Sequence, residues 1–387
     1  MPWEWQAYTI ARMKAAVSLV RCPDYDEAAV EAAVREACES ADFPGLKGKS
    51  VLLKPNILKA ADPAEAVTTH PTVLRAAIRY AKSKGAARIL VGESPGFQLG
   101  SAAFRKSGLS RVAEEEGALW VDFNEGVQVE NPGGRVVKNF TIAKAAVEAD
   151  VLISLPKLKN HTLMYFTGAM KNLFGCVPGL QKPQFHLRFP ERRRFGQMIT
   201  DLNVALRSDF SIMDAVVGME GPGPGAGYPR PIGAVLASRD PLALDRVACG
   251  IIGLDPDLVA NLADAMTRGL WIASDDEIEV RGAKPESLRI ADWKQVPREA
   301  TSRVRMPPAL RNLFVGRPFF SRSKCIACGA CVEICPGKAL SLAADTGTKA
   351  GRSVRVDYSA CIRCYCCHEV CPADAIRVAK ARPLGFR

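Results

Sequence analysis

The chain has 387 residues, of which 48% are hydrophobic and 24% charged, and its formal net charge is +11. This composition is typical of globular protein and provides enough chain for one large domain or two. No run approaches the roughly eighteen apolar residues that a membrane span needs, and the N-terminal segment lacks the apolar stretch of a secretory signal. We therefore expect a cytoplasmic protein without membrane association.

The first 300 residues alternate between strand-like and helix-like patterns. Short apolar runs predict strands at 16–20, 50–54, 88–92, 150–155, 210–217 and 232–238. Helical spacing of apolar residues covers 26–38, 71–84, 241–252 and 255–268, and 131–134 has the composition of a hairpin turn. Strand-helix-strand order of this kind predicts an α/β domain, with a parallel sheet and helices on both faces.

Polar residues follow several of these strands at the point where each strand ends. In an open parallel sheet, ligands bind at the loops leaving the carboxyl ends of the strands. We assign ligand or cofactor binding in these loops to Lys54, Asn56, Glu93, Lys159 and Asn172. We assign catalysis to Lys157, His161 and Lys171.

The lysines among these residues predict an anion site. Lys54, Lys157, Lys159 and Lys171 on one rim would bind a carboxylate or phosphate, whereas the alternative is a set of solvated surface lysines. His161 is the preferred proton donor, because an imidazole titrates near physiological pH. An anionic small-molecule substrate is therefore the expected ligand.

Two glycine-rich stretches imitate nucleotide-binding motifs without matching them. Gly45 to Ser50 resembles a phosphate-binding loop, but it precedes its strand and has Phe43 where the first glycine is needed. Gly221 to Gly227 contains prolines where a dinucleotide-binding loop must open a helix. The sequence gives no support for NAD or ATP, and a flavin or other organic cofactor stays open.

Residues 301–322 form a predicted linker between two domains. The segment contains several arginines, three prolines and three phenylalanines, but no acidic residue. It could strap over the main domain, dock an acidic redox partner protein or contact a nucleic-acid backbone. Nucleic acid is the least favoured of these partners.

The C-terminal residues carry cysteines in two runs of the same spacing. The first run is Cys325, Cys328, Cys331 and Cys335, and the second is Cys361, Cys364, Cys367 and Cys371. A proline follows the fourth cysteine of each run, and each cysteine lies 36 positions from its counterpart. Three thiolates spaced in this way wrap one face of an iron-sulfur cubane, which predicts two [4Fe-4S] clusters. A zinc site or a disulfide framework is the alternative reading.

In the arrangement with two clusters, the fourth cysteine of each run ligates the other cluster. Cys371 should therefore complete the site of Cys325, Cys328 and Cys331, and Cys335 should complete the site of Cys361, Cys364 and Cys367. Residues 323–380 resemble the bacterial two-cluster ferredoxins. We accordingly predict a small α+β ferredoxin-like domain at 323–387, after a main domain at 1–300 and the linker.

The main domain also resembles a known family. Residues 14–270 are similar to the domain of unknown function 362, a prokaryotic family often fused to a ferredoxin module. The resemblance rests on Lys54-Pro55-Asn56, Pro156-Lys157-Leu158-Lys159, the run Lys171 to Cys176, Glu220-Gly221-Pro222-Gly223 and the run Asp240 to Asp245. It supports the α/β architecture and the ferredoxin fusion, and it implies no particular reaction.

Three functions follow as hypotheses. The first is an oxidoreductase in which low-potential electrons enter at the clusters and reduce a substrate or cofactor in the strand-end pocket. The second is a non-catalytic electron carrier whose large domain docks a redox partner protein. The third, nucleic-acid binding through the basic linker, would require an affinity that falls steeply with salt.

Overall fold

The computed structural model describes residues 14–94, 100–179, 181–297 and 315–379. The N-terminal segment and residues 301–314 of the predicted linker lie outside the described residues. Within the described ranges, no helix is both long enough and apolar enough to cross a membrane. The predicted domain boundaries and the cytoplasmic location stay predictions.

The strands of the main domain form one ten-stranded sheet and a separate hairpin. They are β1 (Ala15–Arg21), β2 (Ser50–Pro55), β3 (Arg88–Glu93), β4 (Leu119–Asp122), β5 (Gly126–Glu130), β6 (Asn139–Ala143), β7 (Val151–Leu155), β8 (Lys157–His161), β9 (Tyr165–Thr167), β10 (Phe210–Glu220), β11 (Tyr228–Ser238) and β12 (Ile278–Gly282). The main path of the sheet is β12-β1-β11-β10-β7-β2-β3-β4, and β8 pairs with β10 and β9. The hairpin of β5 and β6 has its turn where the sequence predicts one.

The helices of the main domain cover both faces of the sheet. They are α1 (Glu27–Ser40), α2 (Pro71–Ser83), α3 (Gly100–Lys106), α4 (Leu109–Glu115), α5 (Lys144–Glu148), α6 (Ala169–Asn172), α7 (Gln181–Arg188), α8 (Arg192–Ala205), α9 (Pro241–Ile251) and α10 (Ala260–Thr267). Alternate residues of a strand point to opposite faces. Val51 and Leu53 of β2 therefore pack with α1 and α2, whereas Leu52 packs with α8. The predicted α/β class is confirmed.

The sheet is mostly parallel, but β11 and β9 run antiparallel to the strands beside them. β2 runs parallel to β3 and β7, and β10 runs parallel to β7. β11 is antiparallel to both β10 and β1. Only the glycine-proline loop at 221–227 separates β10 from β11, and a loop without a crossover helix returns the chain antiparallel. The sequence analysis places these two strands correctly but does not predict this direction.

The C-terminal unit, residues 315–379, contains two small antiparallel sheets and two short helices. These elements are β13 (Arg317–Phe320), β14 (Leu340–Ala344), β15 (Arg352–Val356), β16 (Ile376–Ala379), α11 (Ala330–Glu333) and α12 (Cys366–Val370). β13 pairs with β16, and β14 pairs with β15. Because β13 pairs with the last strand, residues 317–320 belong structurally to this unit although the sequence analysis assigns them to the linker.

Candidate functional site

The carboxyl ends of β2 and β3 meet α6 in one hydrogen-bonded cluster. Lys54, at the end of β2, forms an ion pair with Glu93 at the end of β3. Lys54 Nζ also donates to Asn172 Oδ1 at 3.0 Å, and Asn172 Nδ2 donates back to the Lys54 carbonyl at 3.1 Å. Asn56 Nδ2 donates to the same Asn172 oxygen at 3.1 Å. Adjacent parallel strands end at the same edge, so the structure brings these four predicted residues together.

Gly175 has no side chain, and this allows the segment after α6 to lie very close to the cluster. A Cβ atom at Gly175 would lie 1.9 Å from Glu93 Oε1 and 2.6 Å from Lys54 Nζ. No real side chain tolerates such contacts. Any larger residue would therefore displace the ion pair of Lys54 and Glu93.

A cavity of about 100 Å³ lies beside the cluster, between the main domain and the C-terminal unit. The polar lining from the main domain includes Lys54, Asn56, Glu93, Lys159, Lys171, Asn172, Lys182 and His186. The C-terminal unit closes the opposite side with Ile334, Cys366, Glu369 and Val370. Water occupies about 30 Å³ per molecule in the liquid, so the space holds roughly three waters or a ligand of few heavy atoms.

Two lysines of the lining, Lys159 and Lys171, are the candidates for binding an anion. Lys159 Nζ donates to the Val67 carbonyl at 2.8 Å, and Lys171 Nζ lies 5.7 Å from the centre of the Phe174 ring. Within the described part of the chain, no carboxylate forms an ion pair with either ammonium group. Burial lowers the pKa of both lysines, and Glu369 acts in the opposite direction. An anion in the cavity would supply the missing counter-charge.

His161 is the last residue of β8, two positions after Lys159, and its ring lies next to the C-terminal unit. Its Nδ1 accepts hydrogen bonds from the backbone N–H groups of Leu163 and Met164 at 3.1 and 3.3 Å, which leaves the proton of the neutral ring on Nε2. Nε2 lies 3.5 Å from Glu369 Oε1.

Burial, with added repulsion from Lys171, holds the pKa of His161 well below its usual value. The predicted switch to a cation near physiological pH is therefore wrong, because the buried ring stays neutral there. A neutral His161 still presents an N–H group to Glu369.

Lys157 does not line the cavity, contrary to its predicted place on the same rim. Its ammonium group forms an ion pair with Asp214 at 2.9 Å and donates to the Tyr25 hydroxyl at 2.6 Å. Tyr25 also donates to Asp214 and stacks on His70, with ring centres 3.6 Å apart. The physical reason is that Asp214 on β10 stands opposite Lys157 on β8 and captures its charge. Three of the four predicted lysines share the cavity.

Residues that the sequence analysis misses complete the lining. Lys182 and His186 lie one turn apart on α7, a spacing that places both on one face of a helix. Burial lowers the pKa of Lys182 to about 8, and its ammonium group donates to the Ser94 carbonyl. The i, i+4 spacing was available in the sequence. Cys366 and Glu369 carried no such signal, because their position depends on how the C-terminal unit docks.

The eight cysteines of the two runs surround two separate cavities. Cys325, Cys328, Cys331 and Cys371 line one, and Cys335, Cys361, Cys364 and Cys367 line the other. We call these the first and the second cysteine site. Among the described residues, no three His, Cys, Asp or Glu side chains converge closely enough to hold a single metal ion. Four thiols around a cavity fit a polynuclear iron-sulfur group, and each set combines one run with the fourth cysteine of the other.

Two other cysteines, Cys366 and Cys176, are buried among apolar side chains. Cys366 is buried and packs with Ile334 and Val370 while also facing the cavity beside Lys171. Cys176 is buried in the core next to α8, and burial raises the pKa of its thiol to about 12. Cys176 is therefore a packed thiol rather than a nucleophile.

A second polar contact fixes the C-terminal unit on the main domain. Lys59 Nζ lies 2.5 Å from Asp374 Oδ1, and the Lys59 side chain is only 2% exposed. The ion pair therefore helps to hold the second cysteine run against the cavity.

Sequence comparisons identify two known families along the chain. Residues 51–250 match the family described as a domain of unknown function, DUF362. Residues 324–375 match the 4Fe-4S dicluster domain. A thylakoid-associated protein of Synechocystis sp. is 31% identical over 306 residues, a region that covers 78% of this chain and 94% of that protein.

Two solved structures overlap with part of the fold. A protein from Thermotoga maritima aligns at 12% identity with a TM-score of 0.36 and covers 55% of each chain. The lactate racemase apoprotein from Thermoanaerobacterium thermosaccharolyticum aligns at 15% identity with a TM-score of 0.38, over 60% of this chain and 58% of its own. Each alignment spans less than two thirds of the solved chain.

Proposed function

The chain belongs to the DUF362 family and carries a 4Fe-4S dicluster ferredoxin domain, and from this premise we propose that it is an oxidoreductase that reduces a small anion in the cavity between the two parts. The observation that carries the proposal is the composition of the cavity wall. Unmatched lysines of the main domain face α12, the helix that contains Cys366 and the cysteine ligand Cys367. A bound anion would thus lie next to the second cysteine site.

Two iron-sulfur groups would be held by the first and the second cysteine site. When bound, such groups supply electrons one at a time, over a range of potentials that the protein sets. The thiols of the first site include the exposed Cys328, which favours this site for receiving electrons from a donor protein. The thiols of the second site lie nearer the cavity.

The main-domain residues would bind and orient the acceptor. Lys171 and Lys159 would contact the anion through their ammonium groups, and the ion pair of Lys54 and Glu93 lines the same cavity. Glu369 lines the cavity and is placed to move a proton to or from it as charge builds up, while the Nε2–H group of His161, 3.5 Å from Glu369 Oε1, would help to position that carboxyl group. The cavity suits a small carboxylate or oxyanion better than a flavin, since ligand pockets for larger molecules are about 300–1,000 Å³.

Reoxidation of the reduced protein tests this proposal. Anaerobically purified protein is reduced with dithionite, desalted and mixed with a panel of small carboxylates and oxyanions, while visible absorbance reports the iron-sulfur oxidation state. We expect one class of anion to reoxidise the wild-type protein, and Lys171→Met to slow this reaction about tenfold or more, with unchanged iron content. Lys338→Met, which removes an exposed lysine of the first run, is the matched control.

The same assay separates the enzyme from a simple electron carrier. If every small anion leaves the protein reduced while an added redox protein reoxidises it, and Lys171→Met behaves like the wild type, the oxidoreductase proposal fails. The carrier hypothesis would then be preferred.

A further inference from the structure

The two cysteine runs differ in charge at a position that lies between their first and second cysteines. The repeat of 36 positions pairs Ala327 of the first run with Arg363 of the second. Both residues have left-handed backbone conformation, with φ of 53° and 61°. Few residues other than glycine adopt this conformation, so its recurrence marks the two positions as structurally equivalent. The difference between them is the side chain.

Arg363 lines the second cysteine site, and its side chain is buried there. Its side chain is 1% exposed and lines the same cavity as Cys335, Cys361, Cys364 and Cys367. The guanidinium carbon lies 5.1 Å from the centre of the Tyr358 ring. In contrast, the first site is lined, as far as the described residues show, by cysteines and uncharged residues alone.

The two sites also differ in their access to water. Cys328 of the first site is exposed, and its neighbour Ile326 is 60% exposed. None of the four second-site cysteines is exposed: Cys364 and Cys367 are buried, and Cys335 and Cys361 are intermediate. Water stabilises negative charge, so burial alone would make the second site the poorer place for an added electron.

A nearby arginine offsets the cost of placing an added electron in a buried site. The side chain of an arginine is a fixed cation, and attraction between charges is stronger in a buried site than in water. The thiolates and their iron-sulfur group carry negative charge, which increases by one when the group gains an electron. A fixed cation in the same cavity therefore favours the reduced state.

We infer that Arg363 raises the reduction potential of the group held at the second cysteine site, so that the site beside the cavity can hold the electron. The inference rests on the proposed function in one respect, since it takes both cysteine sites to hold iron-sulfur groups. Arg363 is thus a positioning residue, which acts through its charge and does not touch the acceptor.

The test is a reductive titration of the whole protein followed by EPR. Dithionite supplies the electrons at controlled potential, and the two sites give two reduction steps. In Arg363→Gln, one step should move to lower potential by about 59 mV, a tenfold change in the ratio of reduced to oxidised site for one electron. The other step should stay in place. Arg363→Lys, which keeps the charge, should retain most of the wild-type potential.

Ala327→Arg provides an independent arm at the equivalent position of the first run. It should raise the potential of the other step, by a smaller amount because Ala327 lies nearer to water. This variant also decides the matter if Arg363→Gln loses iron. The inference is overturned if Arg363→Gln keeps its iron and both steps coincide with the wild type. It is also overturned if both steps move equally, or if Ala327→Arg moves neither.

These outcomes are distinct from failure of the proposed function. Wild-type protein with about four irons instead of about eight would remove the premise of two sites. Two normal reduction steps that respond to Arg363, in a protein that reduces no small anion, would leave the inference intact and contradict only the proposed reaction.

Discussion

Glu333 and Glu369 occupy the same position of the two cysteine runs, but their surroundings differ. Glu333 in α11 is exposed to solvent, whereas Glu369 in α12 lines the cavity and lies 3.5 Å from His161. Other equivalent positions have diverged in chemistry, namely Ala327 and Arg363, Ala330 and Cys366, and Lys338 and Asp374. A duplicated unit can thus keep its cysteine spacing while the copy that meets the main domain gains charged and polar contacts.

The largest expected effect comes from substitutions that destroy one cysteine site and leave the other intact. Cys325→Ser and Cys371→Ser come from different runs but line the same cavity, so each should remove or alter the first site and leave the second intact. Iron content should fall toward half, and the EPR signals of the two variants should match. Signals that show damage to different sites would contradict the grouping of thiols.

Lys171→Met should weaken anion binding by about 1.5–3 kcal/mol, the range for hydrogen bonds to charged groups. Lys171 shares the cavity with Cys366 and Glu369 of the second run and lies apart from the first cysteine site, which should keep its EPR signal. Calorimetric titration with acetate and inorganic phosphate as probes measures the effect, with Lys338→Met as the control. Equal affinities in wild type and variant would remove Lys171 from the site.

Asp374→Ala should loosen the docking of the second run. It leaves the buried Lys59 without its carboxylate, and an unsatisfied buried partner costs about 1–3 kcal/mol. Hydrogen exchange in α12 and β16 should therefore speed up, because local opening becomes easier. Lys338→Ala, at the equivalent exposed position of the first run, should leave exchange there unchanged. Identical exchange in both variants would mean that the ion pair is dispensable.

Glu369→Gln should strengthen binding of the same anions by about 1 kcal/mol, because it removes a negative charge from the cavity wall. Glu333→Gln makes the same chemical change at an exposed site and should have no effect. If the two substitutions gave equal changes, a general charge effect would explain them, and the distinction between the runs would lose its support.

The smallest effect concerns pH. Burial lowers the pKa of Lys182 to about 8, so its charge is present below that pH and is lost as pH rises through it. Anion affinity should accordingly be constant below pH 8 and decline above it, by at most tenfold per pH unit for one proton. Lys182→Met should flatten this part of the profile. An unchanged profile in the variant would assign the titration to another group.

The sequence predicted the edge of the sheet from local spacing, and it predicted the grouping of the cysteines because the two-cluster arrangement exchanges the fourth cysteine of each run. Lys54, Glu93 and Asn172 meet because parallel strands end together. Lys157 and Asp214 are 57 positions apart in the sequence. No local pattern shows that Lys157, unlike the other lysines, forms a buried ion pair outside the cavity. The role of Glu369 in the cavity wall depended on domain docking, which periodicity does not encode. Burial also lowers the pKa of His161, so the ring does not gain a proton at the pH where the sequence analysis expects it to.

The most direct test of the central claim is a crystal structure of anaerobically purified protein, soaked with the anion that reoxidises it. The account predicts an iron-sulfur group within each set of four thiols, and density for the anion in contact with Lys171, beside Glu369 and Cys366. Anion density located elsewhere, with only water in the cavity, would contradict the account.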